Sequence, residues 1–186
     1  MSILKKKAVQ IFILPLFLYA FCPKFAAGQT SSEYHIKAAY LYNFTQFITW
    51  PEQTFTPRDQ TLIIGVYGEN PFNGFLENVV RGEKAKGRTI QVRYINSVED
   101  LNACHVLYIG TYNRKEIKEL LSECHNRNIL TVSDSENFIK LGGMVRFVTV
   151  NNNVKFQINP IVVENAGLKI SSKVLRLAEI VVEKPN

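Results

Sequence analysis

Three short apolar runs constrain this chain more than any other feature: Leu62-Ile-Ile-Gly-Val-Tyr67, Val106-Leu-Tyr-Ile109 and Ile129-Leu-Thr-Val132. None of them alternates apolar with polar residues, so each reads as a strand covered on both faces. Helical patterns fill the intervals. Asn70-Pro71 supplies a cap and a proline at the first helical position, and Phe72, Phe75, Leu76, Val79 and Val80 follow as an apolar face. Asn113 with Glu116 has the spacing of a capping box, and Ile117, Leu120, Leu121 and Cys124 recur as one buried stripe. Ile90, Val92 and Tyr94 alternate with Gln91 and Arg93, the pattern of a more peripheral strand. Strand and helix in alternation demand a largely parallel sheet with helices on its faces.

The flanks of this region read differently. Glu33–Trp50 is an expected helix, with Ile36, Tyr40, Phe44, Phe47 and Ile48 at three- and four-residue spacing and Pro51 as its stop. Its aromatic load exceeds what one buried stripe requires, so Tyr40, Tyr42, Phe47 and Trp50 become candidate partner-interface residues. The Pro51–Gln60 stretch is a polar loop. Ser133-Asp-Ser135 caps an expected helix containing Phe138 and Ile139. Beyond Gly142-Gly143, Met144–Val150 and Val154–Ile158 are joined by Asn151-Asn-Asn153, the grammar of an antiparallel hairpin. Asn159-Pro160 opens a short helix that Gly167 ends, and a last helix starts near Ser171 with Val174, Leu177, Ala178 and Val181 on one side. The expected fold class is therefore α/β: a single domain, a mixed, mostly parallel sheet flanked by helices, and a C-terminal antiparallel hairpin.

Charge first points toward nucleic acid, with 22 basic against 16 acidic residues and a net charge of +6. Its location changes that. Lys5-Lys6-Lys7 precede an apolar run from Ala8 to Phe21, and small residues stand at Ala26 and Gly28, which together make a secretory signal peptide over 1–28. An uncleaved anchor is the bland alternative, although the run is short of the roughly 20 residues a membrane span needs. A lipoprotein attached through Cys22 is another, and Phe21 and Pro23 argue against it. Cleavage after Gly28 removes four lysines (Lys5, Lys6, Lys7, Lys24), leaving 18 basic against 16 acidic residues, a net charge of +2 over 29–186. The remaining basic stretch, Arg81–Arg88, contains Glu83 and reads as a solvated loop, so nucleic acid is not an expected partner. The expected location is the periplasm.

Cleavage also removes Cys22, and the mature chain keeps Cys104 and Cys124. Cys104 precedes a strand, and Cys124 ends the helix that returns along it, so both come to the same end of the unit. That geometry and an oxidising compartment favour a disulfide, which closing a loop of about 20 residues would make worth roughly 3 kcal/mol. Two free buried thiols are the other reading.

Candidate chemistry is sparse, and neither catalytic residues nor cofactors are expected. His35, His105 and His125 belong to no nucleophile motif, and adjacent residues such as Cys104 and His105 face opposite ways on a strand. No His-x-His, His-x3-His or Cys-x2-Cys spacing offers a metal site. Gly65-x-x-Gly68 and Gly74 follow a buried strand without matching a dinucleotide fingerprint or a P-loop. The turn bearing Gly68, Asn70 and Asn73 is still a candidate ligand turn, because ligands bind beyond the carboxyl ends of such strands.

Several stretches resemble the YfiR family of periplasmic proteins: Tyr34-His-Ile-Lys-Ala-Ala-Tyr-Leu-Tyr-Asn-Phe-Thr-Gln-Phe-Ile-Thr-Trp-Pro51, Ile64-Gly-Val-Tyr-Gly-Glu-Asn-Pro-Phe72, Cys104–Ile109, Leu130–Asp134, Gly142-Gly143, Phe156–Asn159 and Ala166–Ala178. The resemblance covers nearly the whole mature chain. It implies a non-enzymatic regulator, often dimeric, with an α/β fold. It also implies a partner, the periplasmic sensor domain of an inner-membrane signalling protein such as a diguanylate cyclase. The resemblance implies further that the protein represses this partner and that an outer-membrane lipoprotein relieves the repression, so that cyclic-di-GMP and biofilm formation follow envelope state. Two alternatives stand beside that reading. One is a periplasmic small-molecule-binding module working with a histidine kinase or outer-membrane receptor. The other is an enzyme, which would need His105 or Asp134 to meet a partner in a cleft.

Overall fold

The computed structural model describes residues 26–55 and 61–183, so the expected export signal lies almost entirely outside the described residues. A helix, α1 (Ala26–Phe47), leads into β1 (Ile48–Thr49) and a single 3-10 turn. Then come β2 (Thr61–Gly68), α2 (Phe75–Val80), β3 (Lys84–Ala85), β4 (Arg88–Ile95), β5 (Val106–Gly110), α3 (Arg114–His125) and β6 (Leu130–Ser133). The chain finishes with β7 (Val145–Val150), β8 (Asn153–Ile158), α4 (Pro160–Asn165), β9 (Lys169–Ile170), α5 (Ser172–Leu175) and β10 (Glu179–Ile180). Eight strands form one sheet in the order β10-β8-β7-β6-β5-β2-β4-β3, and β1 pairs with β9 in a small antiparallel ribbon. The run β7-β6-β5-β2-β4 is parallel throughout, and the β7–β8 hairpin is antiparallel. This is the mixed α/β domain expected from the alternating runs.

The three apolar runs are buried on both faces, as their composition requires. On β5, Val106 and Tyr108 face a core shared with α1, α2 and α4, while Leu107 and Ile109 face a second core under α3. Gly65 on β2 faces that second core, and a Cβ there would lie 2.7 Å from the Cys104 sulfur and 2.8 Å from Ile95. Only glycine fits between those side chains. In the hairpin, Asn151 and Asn152 both take positive φ, the conformation a two-residue turn needs.

Four expected helices are corrected. The α1 helix ends at Phe47 rather than Trp50, and Ile48 and Thr49 pair with Ile170 and Lys169 instead. Its buried register is Ala38, Leu41, Phe44 and Ile48, so Ile36 points outward at 41% exposure. The Asn70-Pro71 cap makes a turn in which Asn70 Oδ1 accepts from the Phe72 N–H at 3.0 Å, and α2 begins only after Gly74. The segment after Ser135 is a series of turns, and the last helix shrinks to α5 because only Val174 of its expected stripe is buried. Leu177 is 69% exposed, and without a face to bury a four-residue turn does not extend. Among the described residues no helix is long and apolar enough to cross a membrane.

Candidate functional site

The parallel strands leave β2 in both directions, β4 to one side and β5 to the other, so the sheet has a switch point between β2 and β5. Crevices outside the carboxyl ends of strands at such points are where open α/β sheets usually receive ligands. Here the crevice is closed by backbone. The Glu69 N–H donates to the Gly110 carbonyl at 2.9 Å, and a Cβ on Gly110 would lie 2.0 Å from the Glu69 carbonyl oxygen. A hollow of about 80 Å3 remains, lined by Tyr34, Glu69, Pro71, Tyr108, Gly110 and Tyr112. Ligand sites run to roughly 300 Å3 and more.

Beside this hollow sits an ionic cluster that joins α1 to the sheet. Lys37 falls on the buried register of α1 and is 2% exposed. Its ammonium lies 2.6 Å from Glu33 Oε1, one helical turn back, and 2.9 Å from Asp134 Oδ2, at the exit of β6. It also stands 4.3 Å from the centre of the Tyr34 ring. The Tyr34 hydroxyl donates to Asp134 Oδ2 at 3.0 Å, and the Tyr112 hydroxyl to Oδ1 at 3.3 Å. Asp134 is held there by its neighbours: the Ser133 hydroxyl donates to the Ile109 carbonyl, and the Ser135 N–H donates to Ser133 Oγ. From β7, the Thr149 hydroxyl donates to Glu33 at 2.9 Å.

Burial alone would raise the Asp134 carboxyl. The charge of Lys37 and hydrogen bonds from Lys37, Tyr34 and Tyr108 outweigh it, leaving Asp134 below the ordinary carboxylate range. The same burial, with the carboxylate beside it, raises the Tyr34 and Tyr108 hydroxyls. A carboxylate held ionised and accepting from Lys37, Tyr34, Tyr108 and Tyr112 has neither a free lone pair for a base nor a proton for an acid. The cluster therefore fixes α1 and offers no acid–base chemistry. Its exposed member is Tyr112, 66% accessible at the carboxyl-end surface.

The candidate interface rings mostly pack inward. Tyr40 lies 5.1 Å from Phe156 edge-on, and Trp50 is only 6% exposed. Tyr42 and Phe47 are half-buried, Tyr42 donating to Glu83 at 3.0 Å and Phe47 sitting 5.5 Å from the Lys173 ammonium. At the candidate ligand turn, Gly68 takes a φ of +76° and Asn73 one of +49°. Asn70 spends its amide on Phe72 and on the Tyr94 hydroxyl, 3.0 Å away. These residues build the turn, and they do not converge on a cavity.

Cys104 and Cys124 come into one core cluster, as their positions on strand and helix implied, yet the expected bond between them is absent and both are free thiols. The Cys104 thiol is turned along its own strand and donates to the Val106 carbonyl at 3.1 Å. Burial pushes both thiols up to about 12, which keeps them protonated and unreactive.

Sequence reasoning missed Lys37 and the role of Asp134. The available signal was a lysine standing four, seven and eleven residues before Leu41, Phe44 and Ile48, where an apolar side chain belongs.

No curated protein matches the sequence. Similar solved structures include an ABC domain from Streptococcus pneumonia in complex with L-Trp, 12% identical with a TM-score of 0.45 over 65% of this chain and 55% of that one. A second is the ligand-free, open form of CD0873, a substrate binding protein with adhesive properties from Clostridium difficile, 11% identical with a TM-score of 0.45 over 71% of this chain and 57% of that one. The chain spans a little over half the length of each. A family model described as YfiR/HmsC-like matches residues 34–179, from Tyr34 of the ionic cluster to Glu179 of β10. With that match running through every element of the sheet, the chain belongs to the YfiR/HmsC-like family of periplasmic signalling regulators.

Proposed function

We propose that this protein is a periplasmic regulatory binding protein that docks on the sensor domain of an inner-membrane signalling protein such as a diguanylate cyclase and represses it. In this role it tunes cyclic-di-GMP signalling and biofilm formation. The observation that carries the reading is membership of the YfiR/HmsC-like family over residues 34–179. The geometry is consistent with it: the switch-point crevice is filled, and the chemistry-bearing groups there are spent on holding α1. The docking face is the carboxyl-end surface around Tyr112, where an exposed ring stands on a rigid support. Aromatic side chains on rigid supports are favoured interface anchors. An outer-membrane lipoprotein that relieves the repression, and a homodimer, belong to the same proposal.

The test is genetic. Deleting the gene raises cyclic-di-GMP and sessile growth, wild type restores the low level, and Tyr112→Ala restores it only partly while accumulating normally. An unchanged second-messenger level in the deletion strain overturns the regulatory reading. Full complementation by Tyr112→Ala overturns the assignment of the face.

A further inference from the structure

The opposite end of the sheet has the cavity that the switch point lacks. Outside the amino ends of β2, β5 and β6 lies an open cleft of about 500 Å3. That volume is within the range of small-molecule sites. Arg93, Arg127, Asn102, Asn128, Thr61 and His105 supply its polar groups, and among the described residues its lining contains no carboxylate. Arg127 is pre-set: its Nη1 lies 2.7 Å from Glu123 Oε2 and its Nε donates to Asn102 at 3.3 Å, which fixes the plane of the guanidinium. Arg93 is exposed and has no hydrogen-bond or ion-pair partner among the described residues. His105 is fixed in orientation, since its Nδ1 accepts from the Ile63 N–H at 3.2 Å.

The surroundings extend this donor-rich character. Phe55 stacks on His105 at 4.7 Å and has the Arg88 guanidinium 3.9 Å from its ring. Trp50, Glu52, Phe55, Lys86 and Arg88 line an adjoining hollow of about 350 Å3. There the indole N–H of Trp50 and the Nε–H of Arg88 are buried without an acceptor. Buried donors left unmet are rare in folded proteins.

We propose that this amino-end cleft is a binding site for a small oxyanion-bearing molecule, its phosphate or carboxylate groups received by Arg93 and Arg127. Guanidinium groups recognise both oxyanions through paired N–H donors. The proposal stands apart from the docking reading, since it concerns the other end of the molecule.

Calorimetric titration of the mature protein with inorganic pyrophosphate and with citrate tests it and separates the two sources of the oxyanion. At least one probe binds saturably at a single site. Arg93→Ala weakens that binding roughly tenfold, the size expected for one charge-assisted contact. Arg93→Glu abolishes it. Arg93 is exposed, so unchanged thermal unfolding accompanies both variants. Lys155→Glu removes the same charge from exposed β8 and leaves binding intact. Failure of both probes to saturate overturns the proposal. Equal weakening by Lys155→Glu and Arg93→Glu overturns it too, because binding would then follow net charge alone.

Discussion

The two ends of the parallel sheet divide the polar chemistry of this protein unequally. At the carboxyl end, Glu33, Lys37, Tyr34, Tyr112 and Asp134 satisfy one another within about a helical turn, and backbone contact between Glu69 and Gly110 closes the space beside them. At the amino end, Arg93 is exposed, without a hydrogen-bond or ion-pair partner among the described residues, beside an open cleft. Topology alone would assign the ligand to the first end and scaffolding to the second. The side chains reverse that assignment. A crevice favourable by topology becomes a structural joint when a helix brings its own lysine to it.

If the carboxyl end is a joint, breaking it costs folding stability. Lys37→Ala leaves Asp134 buried without its cation and destabilises by about 3–5 kcal/mol, read from urea denaturation. Lys37→Met with Asp134→Asn recovers much of that loss, because no unpaired charge remains. A loss below about 1 kcal/mol for Lys37→Ala would return the carboxyl end to the list of free sites. Gly110→Ala comes next. Its Cβ would overlap the Glu69 carbonyl, and overpacking of this kind costs about 1–3 kcal/mol. A neutral outcome would mean that the crevice opens readily.

Acid sharpens the contrast further. The folded state holds Asp134 below its ordinary value of 3.8, so its ionised form favours folding. That contribution is complete above the ordinary value and is lost as pH falls through the lower folded one. Asp134→Asn therefore flattens the acid limb of the stability profile below about pH 4 and leaves its slope near neutrality unchanged. Within the α3 core, the free thiols predict no labelling of the native protein and two labelled cysteines after denaturation without reductant. The smallest effect is at the amino end. Arg93→Ala changes stability by less than about 0.5 kcal/mol, as expected for an exposed side chain outside the joint.

How far the sequence discloses this arrangement depends on the range of the interaction. Strands β2, β5 and β6 are legible because burial on both faces leaves unbroken apolar runs. The hairpin turn is legible because asparagine tolerates positive φ. The expected C-terminal helix fails because periodicity states which residues could share a face, and Leu177 has nothing to pack against. The first helix keeps Phe44 and Ile48 of the expected stripe but buries Lys37, Ala38 and Leu41 where Ile36 and Tyr40 are expected. The expected stripe does not include Lys37. Its partner Asp134 is 97 positions away, and no local pattern connects them. The amino-end cleft is equally non-local: Arg93 lies on a strand, and Arg127 follows a helix.

The outermost strands, β3 and β10, contain two residues each. Each covers only two residues of its neighbour, so residues 91–95 of β4 and 153–156 of β8 keep an open flank on which a second chain can add a strand.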